Sequence, residues 1–313
     1  MVLEGDESRA LRLLLGTEHV GRRADEVVLR HFPGFSRKEV RELFEAGRVS
    51  LAGRRLKKGE RLVAGELVVE APSVPITPDP SLPLRVLFES ADFVIVDKPA
   101  GLPTAPLSRS EPRSLAAALL ARYPELSGVG FREREPGLVH RLDTQTSGVV
   151  LAARSQAAFE LARAVFEGPG IDKRYQAVTA PGVPDSGEIQ TLLGPDPSER
   201  SRVRVFDEPA EGYAKLCLTR YRVLERGPRF ALVELEVKRA FRHQIRAHLA
   251  HIGFPIAGDA LYAGPAAPEL GARHALHGSV VAWAGDETRA GFRGEAPLPA
   301  ELLALLGRAG GAA

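Results

Sequence analysis

Apolar residues recur along this chain with two periods. Over residues 24–32 and 36–46 they fall at helical spacing, with Val27, Val28, His31 and Phe32 in one segment and Val40, Leu43 and Phe44 in the next. Ser36 with Glu39 forms the capping-box pattern that starts the second helix, and Gly47 supplies its stop. Short β-rich runs follow at residues 49–51 and 67–69, joined by the basic turn from Gly53 to Gly59. Further on, residues 86–88, 93–96, 149–153, 175–179, 221–224 and 231–237 read as strands. Residues 114–122 and 243–252 read as helices, the second closed by Gly253 with Pro255 beyond it. Strands outnumber helices and do not alternate with them regularly, so the pattern predicts an α+β fold rather than a doubly wound one.

Prolines at 72, 75, 78, 80 and 83 interrupt this pattern and predict a stiff, extended linker over 72–83. The chain then divides into a lead-in tail (1–21), a small domain (22–71), the linker, a larger domain (84–306) and a mobile tail (307–313). With 313 residues the chain can bury a large core. Its 44% hydrophobic and 26% charged residues are ordinary for a globular protein. Residues 1–10 lack an apolar signal core, and no stretch approaches the ~18 apolar residues of a membrane span. The single cysteine, Cys217, excludes an internal disulfide framework and zinc sites built on several thiolates. These features together lead us to expect a cytoplasmic protein. No large exposed apolar helix calls for an obligate partner, so a monomer is expected.

Charge becomes informative once it is divided. The net charge is +2, but residues 21–60 carry eleven Lys or Arg against six Asp or Glu, a net of +5 that leaves −3 for the rest. Such clustering predicts a local anion-binding face. Its candidate contacts are Arg37, Lys38, Arg41, Arg48, Arg54, Arg55, Lys57 and Lys58.

In the larger domain, the string His140-Arg141-Leu142-Asp143-Thr144-Gln145-Thr146-Ser147-Gly148 puts one carboxylate on a polar turn before an apolar run. A carboxylate at the mouth of a buried strand is rigidly held yet can face a cleft. Two other segments carry reactive side chains. Lys173-Arg174-Tyr175-Gln176-Ala177-Val178-Thr179 opens an alternating strand. Arg239 to Gly253 holds an apolar stripe of Ile245, Leu249 and Ile252, with Arg242 and Arg246 four residues apart on a different face. His248 and His251 have helical metal-ligand spacing, but no carboxylate or thiol partners cluster near them, so no metal is expected. Neither glycine-rich nucleotide motif occurs.

These strings, in this order, resemble the RluA-like group of RNA pseudouridine synthases. Asp92-Phe93-Val94-Ile95-Val96-Asp97-Lys98-Pro99-Ala100-Gly101 is similar to that family's opening motif and Arg273-His274-Ala275-Leu276-His277 to a late one. His243 to Tyr262 is similar to the motif between them. Residues 22–71 resemble the small RNA-binding module shared with a small-subunit ribosomal protein (the S-four type). The resemblance implies a mixed, largely antiparallel catalytic sheet and a cofactor-free isomerisation of uridine in ribosomal or transfer RNA. It implies Asp143 as the carboxylate at the ribose, acting as nucleophile or base, with Arg246 as its counter-charge and Tyr175 at the base. It further implies RNA contacts from His140, Arg141, Arg242, His243 and Gln244. The chain departs from the family at Thr144-Gln145 and at Arg239-Ala240-Phe241.

Overall fold

The computed structural model describes residues 8–307 except 33–34, 36, 73–75, 107–112, 200 and 208–213. The chain forms two compact units, one of residues 1–77 with 130–136 and one of 78–129 with 137–313.

The first unit is a four-stranded antiparallel sheet with two helices. Its elements are β1 (Ser8–Leu15), α1 (Ala24–His31), α2 (Arg37–Glu45), β2 (Val49–Leu51), β3 (Arg54–Arg55) and β4 (Gly65–Pro72), with strand order β1-β4-β2-β3. The lead-in tail expected over residues 1–21 is therefore corrected: β1 pairs with β4 from Ser8↔Pro72 to Leu15↔Gly65. Leu11, Leu13 and Leu15 alternate onto the core, and that period-2 pattern is what makes the segment a strand. The core itself holds Val27, Val28, Val40, Leu43, Phe44, Val49, Leu51, Leu67 and Val69. Gly47, at φ +66°, stops α2, where its N–H bonds the Phe44 carbonyl and the Arg48 N–H bonds that of Leu43. The expected cap Ser36 lies outside the described residues.

The second unit is built on a ten-stranded sheet. It comprises β5 (Arg85–Glu89), β6 (Phe93–Lys98), α3 (Leu115–Arg122), β7 (Ser147–Ala153), α4 (Gln156–Glu167), β8 (Asp172–Thr179), β9 (Ser186–Pro195) and β10 (Val203–Phe206). It continues with β11 (Lys215–Arg226), β12 (Ala231–Glu236), α5 (Gln244–His251), β13 (Leu276–Gly285), β14 (Ala290–Glu295) and α6 (Ala300–Ala304). Strand order is β10-β9-β11-β12-β8-β13-β7-β6-β5, with β14 also on β13. Only β13 and β7 run parallel. The unit is thus α+β with a mixed, largely antiparallel sheet, as the sequence resemblance implied. The proline-rich stretch is not an extended linker to its end: the Asp79 N–H bonds the Ala117 carbonyl at 3.0 Å and Leu82 is buried.

Two cores flank the β7–β13–β8 centre. One packs α5 and α6 against β8 and β12 through Val178, Val233, Leu235, Leu249, Ile256 and Leu302. The other packs α4 against β6 and β7 through Ile95, Val149, Leu151, Phe159, Ala162 and Phe166. The parallel pair brings Gly148 against Gly278. A Cβ on Gly148 would sit 2.1 Å from the Gly278 carbonyl oxygen, and Gly148 also has φ +119°. A Cβ on Gly278 would meet Leu142 and Tyr175 at an ordinary 3.6 Å. Gly148→Ala is therefore expected to cost about 3 kcal/mol or more and to lower Tm by roughly 5–10 °C, with Gly278→Ala much milder, in thermal unfolding of the two variants.

Candidate active site

Asp143 sits on the turn entering β7, and its own backbone closes that turn through the Thr146 N–H at 3.0 Å. The preceding strand's exit clamps it. Thr104 Oγ1 donates to the Leu142 carbonyl at 2.7 Å and accepts the Leu142 N–H at 3.1 Å. The Thr144 carbonyl accepts the Gly101 N–H at 2.8 Å and Lys98 Nζ at 3.2 Å. Lys98 also donates to the carbonyls of Pro99 and Leu102, at 2.9 and 2.7 Å, so all three donors of a charged ammonium are used. Burial pushes this ammonium down to about 7, and the Asp143 charge opposes that drop. The turn is thus fixed by main-chain bonds while the Asp143 side chain keeps 31% exposure.

Arg246, on α5, carries the charge that Asp143 needs. Its Nη1 donates to Asp143 Oδ2 at 2.9 Å. Its Nε and Nη2 donate to the two oxygens of Asp259 at 2.7 and 2.8 Å. The Asp259 side chain is 1% exposed and that of Arg246 8%. Burial works against the guanidinium charge, but Asp259 and then Asp143 hold it protonated more firmly than usual. Arg246 thus gives its Nε–Nη2 edge to Asp259 and a single Nη1 N–H to Asp143. Among the described residues, Asp143 Oδ1 accepts no hydrogen bond.

Tyr175, on β8, is half-buried beside Leu142 and Gly278. Burial, and then the Asp143 charge, push its phenol up to about 12, so it stays protonated at neutral pH. His243 precedes α5 in the left-handed region at φ 53°, an uncommon conformation for a non-glycine residue. Its Nε2 lies 3.6 Å from Asp143 Oδ2 and its Nδ1 3.1 Å from the Tyr262 hydroxyl. The Arg246 guanidinium lies over the Tyr262 ring at 5.1 Å.

The structure therefore brings Asp143, Tyr175, Arg246 and His243 together. It corrects two expected RNA contacts. Gln244 is buried, its amide donating to Leu218 O and Thr219 Oγ1 and accepting the Phe241 N–H, which leaves it as an internal brace of α5. His140 turns back into the unit, where Nε2 accepts the Leu151 N–H at 3.1 Å and the ring stacks on Phe166. Arg141 and Arg242 are exposed. Arg242 precedes α5 and donates to the Ser201 carbonyl, so it does not share a helix face with the buried Arg246. Phe241, a departure from the family pattern, packs beside Tyr262 and Ala247. In the first unit, Arg37, Lys38, Arg41, Arg54 and Arg55 are exposed and Arg48 is half-buried. Lys38, Arg41 and Arg54 pair with Glu42, Glu45 and Glu60.

Sequence reasoning assigned no role to Asp259, Lys98 or Thr104. The first two stand inside quoted motifs, and only burial shows their use. The late motif is a second internal network. Arg273 Nη2 donates to Ser147 Oγ at 2.8 Å, Ser147 Oγ meets His277 Nδ1 at 2.9 Å, and His277 Nε2 reaches the Ala296 carbonyl. His274 Nε2 lies 2.8 Å from Thr146 Oγ1.

Known proteins resemble this chain in sequence and in fold. A family model described as RNA pseudouridylate synthase matches residues 92–251. The chain is 31% identical over 303 residues to ribosomal large subunit pseudouridine synthase D of Xanthomonas campestris pv. campestris, covering 91% of this chain and 88% of that one. It is 33% identical over 294 residues to an uncharacterized RNA pseudouridine synthase of Chloroflexus aurantiacus, covering 91% and 89%. Among solved structures, human RNA pseudouridylate synthase domain containing 1 aligns with a TM-score of 0.55 at 23% identity, over 74% of this chain and 87% of that one, a likeness of fold.

Burial holds His243, His248, His274 and His277 down to about 4 and His140 to about 3. An unfolded histidine titrates near 6.5. Between those values the unfolded chain binds protons that the folded one refuses, so their contribution to stability is complete above pH 6.5 and is lost as pH falls toward 4. Tm is expected to drop steeply over that interval, with proton uptake on unfolding measurable by calorimetry in buffers of different ionisation enthalpy.

Proposed function

The chain belongs to the RNA pseudouridylate synthase family, and on that premise we propose that it isomerises uridine to pseudouridine in large-subunit ribosomal RNA, with Asp143 as the reacting carboxylate. The observation that carries this reading is the single N–H that Arg246 offers Asp143. Oδ2 takes the Arg246 counter-charge, while Oδ1 accepts no hydrogen bond from a described residue and the side chain keeps partial exposure. Breaking the bond between uracil and ribose needs either a nucleophile at the glycosidic carbon or a base at its neighbour. One rigidly held carboxylate with a free oxygen serves both.

Tyr175, protonated and half-buried, presents a flat face for a uracil turned out of its stack and a hydroxyl for proton transfer. Arg141 and Arg242, both exposed, contact the RNA, and His243 lies next to the carboxylate. In the first unit, Arg37, Lys38, Arg41, Arg48, Arg54 and Arg55 bind RNA phosphates in the manner of an S-four-type module, with Lys57 and Lys58 beside them. The carboxylate partners of Lys38 and Arg41 are exposed and that of Arg54 is half-buried, and surface pairs of this kind are readily exchanged for phosphate. Ribosomal RNA is favoured over transfer RNA because relatives aligned along nine-tenths of the chain are named ribosomal large subunit synthases. No described helix is long and apolar enough to cross a membrane, and we place the enzyme with its RNA in the cytoplasm.

Because pseudouridine and uridine have equal mass, carbodiimide labelling is the suitable readout. Mapping ribosomal and transfer RNA from cells with and without this gene is expected to show loss of a small set of large-subunit sites. Unchanged large-subunit RNA, or loss confined to transfer RNA, would refute the ribosomal assignment.

A further inference from the structure

The turn joining β9 to β10 ends beside the active-site helix. The Asp196 N–H bonds the Arg202 carbonyl and the Arg202 N–H bonds that of Glu199. Tyr262 ties the turn down, its hydroxyl accepting the Val203 N–H at 3.0 Å, and Arg242 donates to the Ser201 carbonyl. This places Arg202 over the Tyr262 ring at 5.2 Å. The Arg246 guanidinium, which holds Asp143, lies over the same ring at 5.1 Å.

Arg202 differs from its neighbours in one respect. Its Nε is the one buried side-chain polar atom among the described residues without a hydrogen-bond partner. No described carboxylate pairs with this guanidinium, whereas Arg246 is held by two. Its Nη groups are not among the buried unsatisfied atoms, so the outer end of this guanidinium is left to solvent or to an anion that the free protein lacks. Arg242 is exposed alongside, and an arginine without a carboxylate partner suits a phosphodiester oxygen.

We propose that Arg202 binds a backbone phosphate of the RNA strand next to the reacting nucleotide. Tyr262 gives the guanidinium a flat support, so that its charge and its outer Nη groups are fixed before RNA arrives. Arg202 is thus a binding residue that registers the strand, while Arg246 stays committed to the carboxylates. The proposal rests on the reading of this protein as an enzyme acting on RNA.

The test uses the full chain and an unmodified transcript of large-subunit ribosomal RNA, comparing wild type, Arg202→Met and Arg202→Lys. Methionine keeps a long apolar side chain over Tyr262 but has no donor or charge. Arg202→Met is expected to weaken transcript binding and raise KM about tenfold, with kcat within twofold of wild type. The slope of log K against log salt should become shallower by about 0.7–0.9, one phosphate contact. Arg202→Lys should keep that slope and raise KM about threefold. Wild-type KM and slope in Arg202→Met, or a fall in kcat at constant KM, would overturn the proposal in favour of a purely supporting role. If Arg202→Met does not fold, a wild-type KM in Arg202→Lys overturns it equally. Should the wild type bind the transcript without modifying it, the ribosomal assignment fails, and the binding slopes still decide the role of Arg202.

Discussion

One cation shared unequally by two carboxylates organises the second unit. Asp259 is sealed from water and takes the Nε–Nη2 edge of Arg246, and Asp143 takes one Nη1 N–H. A buried carboxylate without its arginine, or a buried arginine without its carboxylate, would cost about 3–5 kcal/mol. The pair therefore cannot relax toward Asp143. The guanidinium is pinned at its back, and the exposed carboxylate gains a counter-charge without losing its free oxygen. α5 must deliver Arg246 inward for this to work, which explains the inward commitment of its neighbour Gln244 and the left-handed turn at His243 that starts the helix.

The rest of the scaffold keeps the Asp143 turn from moving. Lys98, Gly101 and Thr104 hold it by the turn's own carbonyls and N–H groups rather than by the turn's side chains. This explains why Thr144 and Gln145 can differ from the family pattern: Thr144 contributes to the clamp through its carbonyl, which any residue supplies. On the other side, the glycine-to-glycine contact of β7 and β13 draws the turn against Tyr175. Beneath it, Arg273, Ser147 and His277 fill the strand junction with a closed hydrogen-bond chain. Neutral, buried histidines suit such a chain because each ring can donate and accept at once.

The chemistry was more legible in the sequence than the architecture. Asp143, Arg246 and Tyr175 stand in short strings that resemble the family's motifs, and the structure brings them together. Asp259 stands in an equally visible string, but a carboxylate that only holds an arginine has no local signature. Its role appears once burial and distance are known. Gln244 and His140 stand in the same strings, yet position along a motif does not say which way a side chain points. Among the elements, β1 was read as a tail although Leu11, Leu13 and Leu15 alternate. α4 was missed although Ala158, Phe159, Ala162 and Phe166 recur at helical spacing behind the Ser155 cap. Those signals were present. By contrast, the pairing of β13 with β7, which sets the site, is a long-range contact that no local pattern encodes.

The central claim is that Asp143 performs the chemistry rather than only ordering the turn. It is tested most directly by release of the hydrogen from uracil carbon 5 in a labelled large-subunit RNA transcript, measured for wild type and for Asp143→Asn at equal RNA saturation. The asparagine keeps the size of the side chain and an oxygen for Arg246 Nη1 but has no ionised carboxylate. The account predicts that binding persists within a few-fold while release becomes undetectable. Release at the wild-type rate would contradict it.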